Sequence, residues 1–181
     1  MSDDKAQHEM ISRCCAEVSS LVGDSIEIGV HRGDSALLIR QLLPDGKLFL
    51  CDTFTGMPDF IIPGLDEHRH KDFDDTSERY VQDKFANDPG VTIIPGIFPQ
   101  SANCETKGLR FAHIDVDIYL STLDALEWCW PRMIDGGIML DDDYNCHTCR
   151  GAKRAVDEFA KRHGVDVEVM LNRAIIRRRT I

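Results

Sequence analysis

The sequence predicts a single α/β domain over residues 1–181, built on a doubly wound, mostly parallel seven-stranded sheet. Two observations carry this. Short apolar runs alternate with longer helical patterns, the rhythm of strand–helix–strand units. Five of the runs carry apolar residues on both faces, as strands between two helix layers do. The final two runs are joined by Asn172-Arg173 alone, which predicts a closing antiparallel hairpin.

The first element is an N-terminal helix within residues 1–24. Met10, Ile11, Cys14, Cys15 and Val18 recur at helical spacing between about Asp3 and Ser20, so one face packs on the domain. The strand runs are Ser25–Val30, Lys47–Cys51, Val91–Pro95, Arg110–Ile114, Gly137–Leu140, Val165–Leu171 and Ala174–Arg177. Between them, helical patterns cover about Asp34–Leu43, Thr76–Ala86, Ser121–Met133 and Gly151–His163. Residues 59–77 fit neither period, are rich in His, Asp and Gly, and form a candidate lid loop.

Composition narrows the function classes. With 43% hydrophobic and 29% charged residues, the chain reads as a folded globular domain. Its formal charge of −10 argues against coating nucleic acid or an anionic membrane, both of which require a basic face. No basic segment followed by an apolar one opens the chain, and no run reaches a membrane-spanning length, so a cytoplasmic location is expected. Seven cysteines scattered among strands and helices read as reduced thiols. Cys146 and Cys149 form a CxxC, but a zinc site needs a second ligand pair, and the only other cluster is His68-Arg69-His70. The expectation is therefore two loop thiols and no zinc.

The acids sit where a parallel sheet binds ligands, beyond the carboxyl ends of its strands. The first strand runs into Glu27-Ile28-Gly29-Val30-His31-Arg32-Gly33, and a helix follows from Asp34-Ser35. Glycines at a helix N-terminus let backbone amides approach a ligand. The second strand is followed by Asp52, about 20 residues beyond Gly33, where a carboxylate meets a ribose diol. The third ends in Pro95-Gly96, leaving Gln100 or Ser101 for an adenine contact. The fourth and fifth end in Asp115-Val116-Asp117 and Asp141-Asp142-Asp143. Five carboxylates on neighbouring strand ends repel unless a cation sits among them, and all-oxygen ligands suit Mg²⁺, Mn²⁺ or Ca²⁺. Asp117 or Ser121 would instead cap the following helix.

These segments together resemble the macrocin O-methyltransferase family. The matching pieces are Glu27 to Ser35, Asp52-Thr53-Phe54-Thr55-Gly56-Met57-Pro58, Gly96-Ile97-Phe98-Pro99, Asp115-Val116-Asp117-Ile118-Tyr119-Leu120-Ser121-Thr122, Pro131 with Gly136-Gly137, Asp142-Asp143-Tyr144, and Gly151 through Phe159. The resemblance implies a Rossmann-like class I methyltransferase fold and Mg²⁺-dependent transfer of methyl from S-adenosylmethionine to a hydroxyl, commonly on a sugar of a natural product. It implies Asp115, Asp142 and Asp143 as metal ligands, Asp115 also as general base, and Glu27, Gly29, Gly33, Ser35 and Asp52 as the cofactor shell. Asp141 departs from the family, where an apolar residue usually precedes the aspartate pair.

A cation on the acceptor oxygen would lower its pKa, and a closed dry site would favour attack on a positively charged sulfonium. The expected partner is a small-molecule hydroxyl acceptor, with self-association into a homo-oligomer left open. Two rival readings are a metal-dependent phosphoryl-transfer enzyme and a non-catalytic domain binding S-adenosylmethionine or metal. Neither a DxDx(T/V) nucleophile motif nor a Walker GxxxxGK[ST] supports the former.

Overall fold

A computed structural model describes residues 3–179. Helix α1 (Asp3–Val18) precedes β1 (Asp24–Ile28), α2 (Asp34–Leu42), β2 (Leu48–Asp52), α3 (Glu78–Lys84), β3 (Val91–Pro95) and β4 (Leu109–Ile114). Then come α4 (Tyr119–Cys129), β5 (Met133–Asp141), α5 (Arg150–His163), β6 (Glu168–Met170) and β7 (Arg173–Arg177). The seven strands form one sheet in the order β3-β2-β1-β4-β5-β7-β6. Strands β1 to β5 pair in parallel, while β7 runs antiparallel to both β5 and β6. The order reverses between β1 and β4, and the cleft opens at their carboxyl ends.

Strand alternation divides the core into two layers. Ile26, Ile28, Ala112, Ile114 and Met139 face α4 and α5, packing with Leu126, Val156 and Phe159. Leu48, Leu50, Phe111, Ile138, Leu140 and Ile175 face the other way, onto Met10, Ile11, Cys14 and Val18 of α1 and Ile39 of α2. The amphipathic face of the N-terminal helix is thus fully used. Burying each such aliphatic side chain is worth roughly 1.5–3 kcal/mol.

Several boundaries differ from the sequence expectation, β5 for example starting at Met133 rather than Gly137, and three of the shifts have a clear local reason. Helix α4 starts two residues earlier than Ser121, because Asp66 of a distant loop accepts the Tyr119 amide at 2.9 Å. Neither Asp117 nor Ser121 caps it. Helix α3 starts at Glu78, where the Ser77 side chain accepts from the Tyr80 amide. The closing hairpin turns at Leu171-Asn172, both with positive φ of 48° and 70°, as a two-residue hairpin turn requires. That places Arg173 inside β7, with consequences for the site. Among the described residues no helix is long and apolar enough to cross a membrane.

Candidate active site

A cavity of about 550 Å³ lies over the strand ends, within the size range of small-molecule sites. Its floor is the β1 turn, Gly29 to Arg32, with Asp52 after it and Asp115 to Asp117 on the β4 side. Gly29 must be glycine: its φ is +86°, and a Cβ there would lie 1.8 Å from the Asp115 carbonyl oxygen. This contact brings the cofactor-type turn and the first acidic strand end into register.

Asp52 is the hinge of the turn. Oδ2 accepts the amides of Val30 at 2.7 Å and His31 at 2.8 Å, and Oδ1 accepts that of Phe54 at 2.7 Å. A carboxylate has about four acceptor sites, so three amides leave room for a ligand hydroxyl. Ser35 and Gly29 also line the cavity.

Two members of the expected cofactor shell lie elsewhere. Gly33 faces Phe85 and Val81 rather than the cleft. Glu27 is fully buried off the cavity wall, because strand alternation turns it away from Ile26 and Ile28. Its Oε1 meets His113 Nδ1 at 2.8 Å. On the other ring nitrogen, His113 Nε2 lies 3.8 Å from Asp142 Oδ1, an ion-pair distance. Asp142 in turn is gripped by Arg173. Burial alone would lower the His113 pKa, but the Asp142 and Glu27 carboxylates outweigh it and push it up to about 10. Glu27, His113, Asp142 and Arg173 therefore form a buried chain of two acidic and two basic side chains, which ties β1, β4, the end of β5 and β7 together.

The carboxylates themselves divide into a converging group and one held apart by an arginine. Asp115, Asp117 and Asp143 bring one oxygen each within 4.8 Å of one another. Asp117 is drawn in because its φ of 61° folds the chain back, so that the Val116 and Asp117 amides both donate to Asp143 Oδ2, at 3.1 and 2.8 Å. Asp142, expected beside Asp143, is instead held by Arg173, which binds both its oxygens. Its charge nonetheless bears on both neighbours. Burial first, then the Asp142 and Asp117 charges, raise the Asp115 pKa well above the usual carboxylate range. Burial and the surrounding aspartates do the same to Asp143. Asp141 is 1% exposed with neither oxygen hydrogen-bonded, and burial pushes it up to about 8. The convergent oxygens of Asp115, Asp117 and Asp143 are a donor set that fits a hard divalent cation.

Residues the sequence reading missed complete the site. Asp4, Gln7 and His8 of α1 line the cavity, and Gln7 Nε2 donates to Asp115 Oδ2 at 2.9 Å. Their polar helix face was the available signal. On the side of β3, Ile97 and Phe98 line the wall, whereas Gln100 and Ser101 do not. The 59–77 segment contributes Phe60 and Phe73. It is pinned by Asp66, whose Oδ1 would lie 1.9 Å from a Cβ on Gly151, so α5 needs glycine there. The same loop carries His68 to Asp117 and Cys149, joining the CxxC to partners far away in sequence.

A doubly wound sheet in this strand order, with a cavity and clustered acids at its carboxyl edge, is the framework of a class I methyltransferase. The chain belongs to the macrocin O-methyltransferase (TylF) family, which it matches over residues 5–173. It is 30% identical over 180 residues to demethyldecarbamoylnovobiocin O-methyltransferase of Streptomyces niveus, covering 90% of this chain and 68% of that one. It is 30% identical over 166 residues to mycinamicin III 3''-O-methyltransferase of Micromonospora griseorubida, covering 82% and 64%. The solved structure of the O-methyltransferase NovP superposes with a TM-score of 0.84 at 28% identity, over 97% of this chain and 80% of that one. The chain spans between 60% and 68% of its curated relatives' own length.

Proposed function

We propose that this protein transfers the methyl group of S-adenosylmethionine to a hydroxyl on a sugar of a glycosylated natural product, aided by Mg²⁺ or a similar hard cation. The carrying observation is that Asp115 and Asp143 converge beside the cavity that Gly29 and Asp52 line. The names of the relatives support the acceptor class: each is an O-methyltransferase, and one is named for the 4' position of a rhamnosyl-tetracenomycin.

In this reading Asp52 takes a ribose hydroxyl on its remaining acceptor capacity, while its three amide bonds fix the turn. Gly29 and Ser35 leave backbone and hydroxyl groups facing the cofactor. Asp115 and Asp143 hold the cation, with waters or substrate hydroxyls in the remaining positions. Asp142, expected as a third ligand, has both oxygens on Arg173, and Asp117 is engaged by His68 and Cys149. When bound, the sulfonium supplies the methyl group, and the cation lowers the pKa of the acceptor hydroxyl. Asp115, its proton affinity raised by burial, accepts the hydroxyl proton, and Gln7 holds that carboxylate in place. Phe60 and Phe73 exclude water from the cleft.

The test is release of S-adenosylhomocysteine from S-adenosylmethionine across a panel of deoxysugar glycosides. Acceptor-dependent release, with one methyl gained per turnover, supports the reading. Cofactor binding without turnover on any hydroxyl acceptor contradicts it.

A further inference from the structure

We propose that His68, Asp117 and Cys149 form a second cation site, suited to Zn²⁺, that clasps the loop between β2 and α3 to the acidic edge of the sheet. The inference stands apart from the methyl-transfer reading and would hold if that reading failed.

The geometry is that of a ligand shell. His68 Nε2 lies 3.3 Å from Asp117 Oδ1, Cys149 Sγ lies 3.4 Å from the same oxygen, and Sγ and Nε2 are 3.7 Å apart. Ligands of a tetrahedral zinc, with bonds of about 2.3 Å to sulfur and 2.0–2.1 Å to nitrogen or oxygen, stand about 3.4–3.6 Å apart. All three edges agree to within a few tenths of an ångström. The three residues come from separate segments: the 53–77 loop, the turn after β4, and the residue before α5. Such convergence of His, Cys and Asp is not a by-product of local sequence.

Cys149 is fully buried, and the His68 and Asp117 side chains are only 15% and 16% exposed. The far ring nitrogen of His68, Nδ1, faces the Asp72 carboxylate at 3.6 Å, the arrangement that steadies a metal-binding imidazole. One further position is left for water or for Cys146, whose Sγ joins Cys149 through the Thr148 hydroxyl at 3.1 and 3.6 Å. Thiolate and imidazole select a borderline ion over Mg²⁺. On binding, the Cys149 thiol, now donating to Asp117, releases its proton to solvent as the S–metal bond forms. A divalent ion with one thiolate, one carboxylate and one neutral imidazole is then electrically balanced.

The consequence is a fixed lid. The His68 ring packs on Phe73 at 5.4 Å between centroids, and Phe73 lines the cavity. Asp66, two residues before His68, already caps α4. An ion at His68 would hold the wall of the cleft at a second point.

The test is titration of the chelator-treated full chain with Co²⁺ alone, followed by displacement with Zn²⁺. The site predicts one equivalent giving a thiolate-to-cobalt charge-transfer band and strong visible bands of four-coordinate cobalt. These bands vanish in Cys149→Ser and His68→Ala but persist in Asp115→Asn, which separates this site from the oxygen-only one. His68 sits on a loop, so His68→Ala decides the matter should Cys149→Ser not fold. Zn²⁺ should also slow proteolytic cleavage within residues 59–77 of the parent chain and not of His68→Ala. Absence of the thiolate band, its survival in His68→Ala, or cleavage indifferent to Zn²⁺ would each overturn the proposal.

Discussion

Arg173 closes on both carboxylate oxygens of Asp142, Nε on Oδ1 at 2.6 Å and Nη2 on Oδ2 at 3.1 Å, with the two side chains 3% and 9% exposed. Removing one member of a buried pair strands the other's charge, at a cost of about 3–5 kcal/mol. Arg173→Met should lose about that much in urea unfolding. Adding Asp142→Asn to it should restore most of the loss, because no unpaired charge then remains. A single-variant loss below about 1 kcal/mol would mean that the pair is solvated.

Asp52 predicts a coupled defect. Asp52→Ala should weaken S-adenosylhomocysteine binding by about 1–3 kcal/mol, the scale of a lost charged hydrogen bond, measured by titration calorimetry. Asp52→Asn, which keeps one acceptor oxygen for the Val30 and His31 amides, should fall between. Unchanged affinity in Asp52→Ala would exclude the ribose role.

Gly29 offers a steric test. In Gly29→Ala the new methyl meets backbone, the Asp115 carbonyl, which has no rotamer by which to retreat. Together with the positive φ, this should cost at least about 2 kcal/mol in stability. The displaced β4 end should also raise the KM for S-adenosylmethionine. Parent-like thermal unfolding would show the contact to be looser than described.

A pH dependence arises away from the cleft. Arg40 holds both oxygens of Asp88, Nε at 2.7 Å and Nη2 at 2.9 Å, and lowers the Asp88 pKa below 3.8. A depressed folded-state pKa gives stability that is present above the unfolded value and lost as pH falls through the folded one. Denaturant midpoints should therefore drop below about pH 4, and less steeply in Asp88→Asn. Equal slopes in both proteins would contradict the pairing.

Much of the fold was legible because apolar runs and helical periods sit directly in the sequence, and strand alternation assigned Ile26, Ile28 and Met139 to one layer. The site was legible only in part. Asp142-Asp143 reads as a twin ligand pair, yet neighbouring residues at a strand end point to opposite faces, and only Asp143 joins Asp115 directly. Glu27 reads as cleft-facing but alternation turns it to His113. The Arg173 partner depended on a one-residue shift of the hairpin turn, produced by positive φ at Leu171 and Asn172. His68 and Cys149 are 81 residues apart, and no local pattern foretells such a meeting.

The carboxylate cluster supplies the most direct test. Asp115 and Asp143 bring oxygens within 4.8 Å of one another, and burial with the neighbouring carboxylates raises both above the usual carboxylate range, so a cation between them relieves the repulsion. Methyl transfer should therefore vanish on thorough chelation and return with Mg²⁺, Mn²⁺ or Ca²⁺. Asp143→Asn should be inactive at any Mg²⁺ concentration while binding S-adenosylhomocysteine nearly as the parent does. Asp115→Asn should be the most damaging, since it removes a ligand and the proton acceptor together. The decisive measurement is S-adenosylhomocysteine release from the chelated enzyme before and after Mg²⁺ is added. The account predicts no release before and restored turnover after. Undiminished turnover in the chelated enzyme would contradict it.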